Sequence, residues 1–166
     1  DIPIAPGRYL LEPLVLARLL QAAEIKEDDV VLDVGCGTGY STAILARLAA
    51  VVVALEDNTN LAEGATDKLA ELGADNAAVL GGKLPEGVPD QGPYDVVVIN
   101  GSIEHLPDTI LEQVTDGGRI VTVVTDEGIG RATLFHVSGG KVSRQRLFEA
   151  SVPPVAGFGN ERGFVF

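Results

Sequence analysis

The sequence predicts an α/β fold: a mostly parallel sheet that ends in an antiparallel hairpin. Three observations carry the prediction. Short β-branched runs alternate with segments of helical apolar spacing between Leu10 and Val124, the pattern of a parallel sheet covered on both faces. The run Val30 to Val34 breaks into three alternating glycines, Gly35, Gly37 and Gly39, before a helix-like segment. Such a strand–loop–helix unit is where open α/β sheets bind nucleosides. After Asp126 the rhythm changes to two alternating runs around Ser138-Gly139-Gly140, a hairpin signature.

The elements follow in order. Leu10 to Ala23 has helical spacing, with Pro13 suited to a first turn. Val30 to Val34 reads as a short buried strand, Tyr40 to Ala49 as a helix, and Val51 to Leu55 as a β-branched strand. Leu61 to Leu72 is a helix stopped by Gly73. Ala77 to Leu80 is strand-like, and a Gly/Pro-rich loop runs from Gly81 to Pro93. Tyr94 to Ile99 is an apolar strand, Pro107 to Val114 a helix ending at Gly117-Gly118, and Arg119 to Val124 a strand. Ala132 to Val137 and Lys141 to Phe148 form the hairpin. Val152 to Gly159 is irregular, and Phe164 to Phe166 is placed as a short additional strand. With 166 residues and no linker, residues 1–166 are read as a single domain. Asp1 in first position and the lack of any methionine create the expectation of a segment preceding this one.

Composition narrows the function. A formal charge of -12, from 12 basic and 24 acidic residues, is unsuited to a phosphate backbone or an anionic membrane surface. Neither a nucleic-acid nor a membrane partner is therefore expected. No apolar run approaches the ~20 residues of a membrane span. Cys36 is the single cysteine, which excludes an internal disulfide and suits a reducing, cytoplasmic setting. Oligomeric state is left open.

The glycine spacing selects the ligand. Dinucleotide sites place a third glycine three positions after the second. Here that position is Tyr40, and the glycine comes one residue early. Asp33-Val34-Gly35-Cys36-Gly37-Thr38-Gly39 therefore resembles the first motif of S-adenosylmethionine-dependent methyltransferases. The loop offers Gly35, Cys36, Gly37, Thr38 and Gly39 to the cofactor's amino-acid end. Asp33 is the candidate for its amino group, directly or through water, with loop capping as the alternative role. Glu56, 17 residues beyond Gly39 at the end of the second strand, is the candidate acceptor for the ribose hydroxyls. Asp57 is the secondary candidate, with helix capping as its other role. Gly82 stands where many such proteins carry an acidic adenine ligand, so either backbone groups serve there or affinity is low. Asn100 and Ser102, after the fourth strand, are candidate cofactor and substrate contacts. No metal-ligand set and no acid–base constellation is evident. His105 and His136, the only histidines, are read as structural or solvated.

From Gly7 to about Pro153 the chain resembles the protein-L-isoaspartate O-methyltransferases. The resemblance rests on Val31 to Ala43, on Leu55-Glu56, on Gly92-Pro93-Tyr94-Asp95, and on Leu106-Pro107 through Gly117-Gly118-Arg119-Ile120-Val121. Gly140-Lys141-Val142 and Leu147-Phe148 extend it. It implies a Rossmann-like methyltransferase sheet and S-adenosylmethionine as methyl donor, leaving S-adenosylhomocysteine. It also implies an isoaspartyl carboxylate of a damaged protein or peptide as acceptor. A carboxylate is already ionised at neutral pH, so such a transfer needs no general base. The chain departs from the family at its substrate segment, Gly7-Arg8-Tyr9-Leu10-Leu11-Glu12-Pro13. Tyr9 and Leu11 stand at the threonine and serine positions, and Leu11, on the substrate side, lacks a hydroxyl. Two other readings stay open: a divergent small-molecule methyltransferase, with a small carboxylate among its acceptors, and a non-catalytic S-adenosylmethionine-binding module.

Overall fold

The computed structural model describes residues 1–158; the expected strand at Phe164 to Phe166 lies outside them. Its centre is a seven-stranded sheet. The first parallel strand, β3 (Val30–Val34), pairs on one side with β4 (Val51–Glu56), which pairs with β5 (Ala77–Gly81). On its other side β3 pairs with β6 (Tyr94–Ile103), followed outward by β7 (Val114–Asp126), β8 (Ile129–Ser138) and β9 (Lys141–Glu149). The strands are parallel through β7, while β8 and β9 are antiparallel. Chain direction across the sheet reverses between β3 and β6, which makes the crevice at their carboxyl ends the topological switch point.

Helices α1 (Pro13–Ala23), α2 (Tyr40–Leu48) and α3 (Thr59–Glu71), with the short α4 (Asp108–Leu111), connect the strands. Alternate residues of each strand face opposite sides, so the β-branched runs feed two cores. Val31, Val52, Val96, Val98 and Val121 pack with Leu16, Leu19 and Leu20 of α1. Leu32, Val34, Val53, Leu55, Val97 and Ile99 pack on the other face with Leu84, Ile110 and Phe158.

Several boundaries differ from the sequence reading. The first helix begins at Pro13, not Leu10, because Glu12 is held extended (φ -55°, ψ 130°) by the proline after it. The residues before it form a separate antiparallel hairpin, β1 (Ile2–Ala5) and β2 (Arg8–Leu10), joined to no other strand among the described residues. The helix expected over Pro107 to Val114 stops at Leu111, and Val114 instead opens β7 opposite Tyr94. Strand β6 runs on to Ile103 through a register shift between Val98 and Ser102. The Gly81 to Pro93 loop contains two 3₁₀ turns, Leu84–Glu86 and Pro89–Gln91. The hairpin turn stands as expected, with positive φ at Gly139 and Gly140, the geometry that favours glycine in two-residue turns.

Leu32, in the central strand, is fully buried. Leu32→Ala is expected to cost about 2–5 kcal/mol. Urea unfolding would register this as a lower midpoint at unchanged slope.

Candidate functional site

The glycine loop sits at the switch point. Gly35 N–H and Cys36 N–H donate to Leu55 O (2.9 and 3.3 Å), which ties the loop to the tip of β4. Gly37 and Gly39 adopt positive φ (58° and 87°), a region that side-chain-bearing residues enter at a cost. Space is tight there too. A Cβ on Gly39 would lie 3.1 Å from Ala65 Cβ of α3, and one on Gly37 would lie 2.7 Å from Ile4 Cδ1.

Two buried carboxylates flank the loop. Asp33 is fully buried and has no ion-pair partner among the described residues. It accepts hydrogen bonds from Ser41 Oγ (2.8 Å), Thr42 Oγ1 (2.7 Å) and Asn100 Nδ2 (2.6 Å). Burial pushes its pKa up, against the pull of these three donors. Its side chain therefore anchors the loop to α2 and β6. This network is the loop-anchoring role given as the alternative for Asp33, and it arises because the first turn of α2 presents two hydroxyls to it. Asn100 also donates to Val34 O (3.0 Å), closing the crevice between β3 and β6.

Glu56, at the tip of β4, is buried as well. It accepts from Gly37 N–H (2.7 Å), Asp57 N–H (3.0 Å) and Asn58 N–H (3.1 Å). Arg8 adds a two-pronged guanidinium contact: Nη2 donates to Oε2 at 2.8 Å and Nη1 donates to Oε1. Burial alone would raise the Glu56 pKa, but Arg8 and the backbone donors hold it below the ordinary carboxylate value. Asp57 accepts from Arg8 Nη1 at 2.5 Å. The alternative role given to Asp57 falls to its neighbour: Asn58 Oδ1 caps α3 by accepting from Leu61 N–H (3.1 Å), since Asp57 is engaged by the arginine.

The remaining expected residues divide. Gly82 N–H donates to Glu56 O (3.2 Å), fixing the end of β5 beside Glu56. Cys36 is buried and its thiol pKa is pushed up by burial, so it is an inert wall of the loop. Thr38 is half-buried. Leu11 is buried and lines a narrow crevice with Gly35, Gly37 and Asn100. Ser102 does not face that crevice. Its Oγ donates to Val152 O (3.1 Å) and its N–H to Pro153 O (3.0 Å), which fastens the irregular 152–155 segment to β6. Ser102 lies just past the register shift after Val98. His105 and His136 are exposed. Sequence reasoning missed Arg8, and a lone cation in a Pro/Gly-flanked stretch gave no periodic signal by which to find it.

A doubly covered parallel sheet, with a glycine loop at its switch point and a carboxylate at the next strand tip, defines a Rossmann-like methyltransferase domain. Within that class, the chain belongs to the protein-L-isoaspartate(D-aspartate) O-methyltransferase family, whose model matches residues 1–157. A protein-L-isoaspartate O-methyltransferase of Koribacter versatilis is 35% identical over 156 residues, covering 94% of this chain and 70% of that protein. One from Methanoculleus marisnigri is 35% identical over 123 residues, covering 74% of this chain and 56% of the relative. The chain thus spans between about half and three-quarters of such relatives. Among solved structures, a protein-L-isoaspartate O-methyltransferase superposes with a TM-score of 0.80 at 22% identity, over 95% of this chain and 59% of that one. A Plasmodium falciparum structure described as a β-aspartate methyltransferase in complex with S-adenosyl-L-homocysteine superposes with a TM-score of 0.75 at 19% identity, over 91% and 77%. No helix among the described residues is long and apolar enough to cross a membrane.

The depressed Glu56 pKa has a stability consequence of definite sign. A carboxylate held below its unfolded value of about 4.5 stabilises the fold above that pH and stops doing so as the pH falls through the folded value. Glu56→Gln is expected to cost up to about 3 kcal/mol at pH 7, the low end for breaking a buried ion pair, because Arg8 can turn to solvent. Urea midpoints of the two proteins should converge as the pH is lowered from 7 to 3; a constant gap would refute the assignment.

Proposed function

We propose that this chain transfers a methyl group from S-adenosylmethionine to the carboxylate of an isoaspartyl residue in a protein or peptide. The observation that carries the reading is the loop itself: positive-φ glycines under a buried Glu56 whose carboxylate already bonds Gly37 N–H at 2.7 Å. The donor set fits the nucleoside. Glu56 is the carboxylate for the ribose hydroxyls, Gly35 to Gly39 give the close backbone approach, and Gly82 and Asp57 border the adenine side. When bound, the cofactor supplies an electrophilic methyl on a sulfonium.

The protein's own contribution is orientation and the exclusion of water. The acceptor carboxylate is ionised at neutral pH and needs no proton removed. This suits a crevice walled by Leu11, Asn100 and Val155 with both histidines on the surface. The departure at Leu11 removes a side-chain hydroxyl from that wall, while Tyr9 replaces a small hydroxyl with a phenolic one, so donors to the acceptor carboxylate fall to the Tyr9 hydroxyl and to backbone N–H groups. The acidic balance favours neither nucleic acid nor an anionic membrane as partner, and the lone buried Cys36 suits a cytoplasmic setting. Residues 1–166 are read as one such domain.

Methyl transfer to an isoaspartyl peptide, with the normal aspartyl peptide as control, tests the reading. Transfer to the first alone is expected, and cofactor binding without transfer to either would favour a small-molecule acceptor or a binding module. Glu56→Ala should weaken S-adenosylhomocysteine binding about tenfold or more, the worth of a charged hydrogen bond, measured by calorimetry.

A further inference from the structure

The nucleoside site is closed by the chain's own N-terminal hairpin. Glu56 receives three backbone N–H groups and two guanidinium N–H groups. A carboxylate offers about four lone-pair sites, so nothing remains for two ribose hydroxyls while Arg8 is in place. A second contact acts nearby: Ile4 rests on Gly37, its Cδ1 2.7 Å from where a Cβ would stand. The crevices on either side of the hairpin, against the glycine loop and against Asn100 to Val155, hold only about 10 Å³ each. That is room for about one water, where a small-molecule site needs about 300 Å³ or more.

The hairpin is also built to leave. It is two-stranded and pairs with no strand of the main sheet, and an isolated two-stranded ribbon is marginal in water. Ile2 and Tyr9 are exposed. Arg8 and Ile4 are thus its holding points, the first electrostatic and the second apolar. Release of Arg8 exposes a guanidinium that water solvates readily, while Glu56 exchanges two N–H donors for two hydroxyl donors.

We propose that Arg8 is a tethered competitor for the ribose-binding carboxylate, and that β1–β2 is a lid which the nucleoside must displace to enter. The proposal rests on the S-adenosyl reading of the pocket. Arg8 is accordingly a residue that sets cofactor affinity through Glu56. The observed affinity is the intrinsic one reduced by the fraction of molecules with the hairpin lifted.

Calorimetric titration with S-adenosylhomocysteine, on the whole chain, compares wild type with Arg8→Met, which keeps the apolar stem, and with Ile4→Ala. Arg8→Met is expected to bind about tenfold or more tightly, the gain when a site open about a tenth of the time becomes fully open, and Ile4→Ala should shift the same way. Amide hydrogen exchange over residues 2–10 of the wild type should speed up on adding S-adenosylhomocysteine. Equal or weaker binding by Arg8→Met would overturn the lid and leave the S-adenosyl reading standing. Should that variant fail to fold, unchanged or slower exchange of the wild-type hairpin on ligand addition overturns the lid by itself. Failure of all three folded proteins to bind would instead remove the S-adenosyl reading, and the lid with it.

Discussion

Two carboxylates stand at the tips of adjacent buried strands, and the architecture of the site follows from what each needs. An ionised carboxylate away from water is costly unless donors surround it. Asp33 on β3 and Glu56 on β4 solve this differently. Asp33 draws its donors from α2 and β6, so its satisfaction fixes the position of the helix and of the crevice wall. Glu56 draws three donors from the backbone of the loop and of its own strand end, which forces the glycine loop to curl over it. The backbone course from Gly35 to Gly39 is thus the path that brings Gly37 N–H to Glu56 while leaving Ser41 and Thr42 free to face Asp33.

Much of this was legible in the sequence because it was local or periodic. The β-branched runs mark the strands, and the glycine spacing together with Leu55-Glu56 locates the loop and its carboxylate. Other features depended on partners distant in the chain. Whether Asp33 faces a ligand or its own helix turns on two hydroxyls, Ser41 and Thr42, that lie on the inner side of α2's first turn. Whether Ser102 faces the crevice turns on a register shift in β6 that no period reveals. Val114 joins a strand although it follows a helical pattern, because Tyr94 offers it a sheet partner. The hairpin at Ile2–Leu10 is too short to show alternation, and its ion pair spans 48 positions.

The apolar character of the substrate side fits this arrangement. Leu11 ends the hairpin and begins the core under α1, so the segment that would face an acceptor is also the one that anchors the lid to the domain. A hydroxyl there would gain a contact in the crevice but would have to be satisfied in the core beneath. Leucine settles that conflict in favour of packing, and with the Asn100 amide N–H groups already committed to Asp33 and Val34, polar recognition is left to Tyr9 and to backbone groups.

A buried acceptor for a ligand's hydroxyls raises a problem whenever the ligand is away. Three backbone donors lessen the cost of burying Glu56 but carry no net charge, and an unpaired buried carboxylate would either protonate or destabilise its strand. Arg8 removes the problem by supplying both charge and donors in the fork geometry a carboxylate prefers. The same contact that makes the ligand-free fold stable therefore has to be broken for the ligand to bind. Stability of the empty site and affinity of the filled one are opposed through a single side chain, and the exposed, two-stranded hairpin that carries it is the part of the molecule that can move at least expense to the rest.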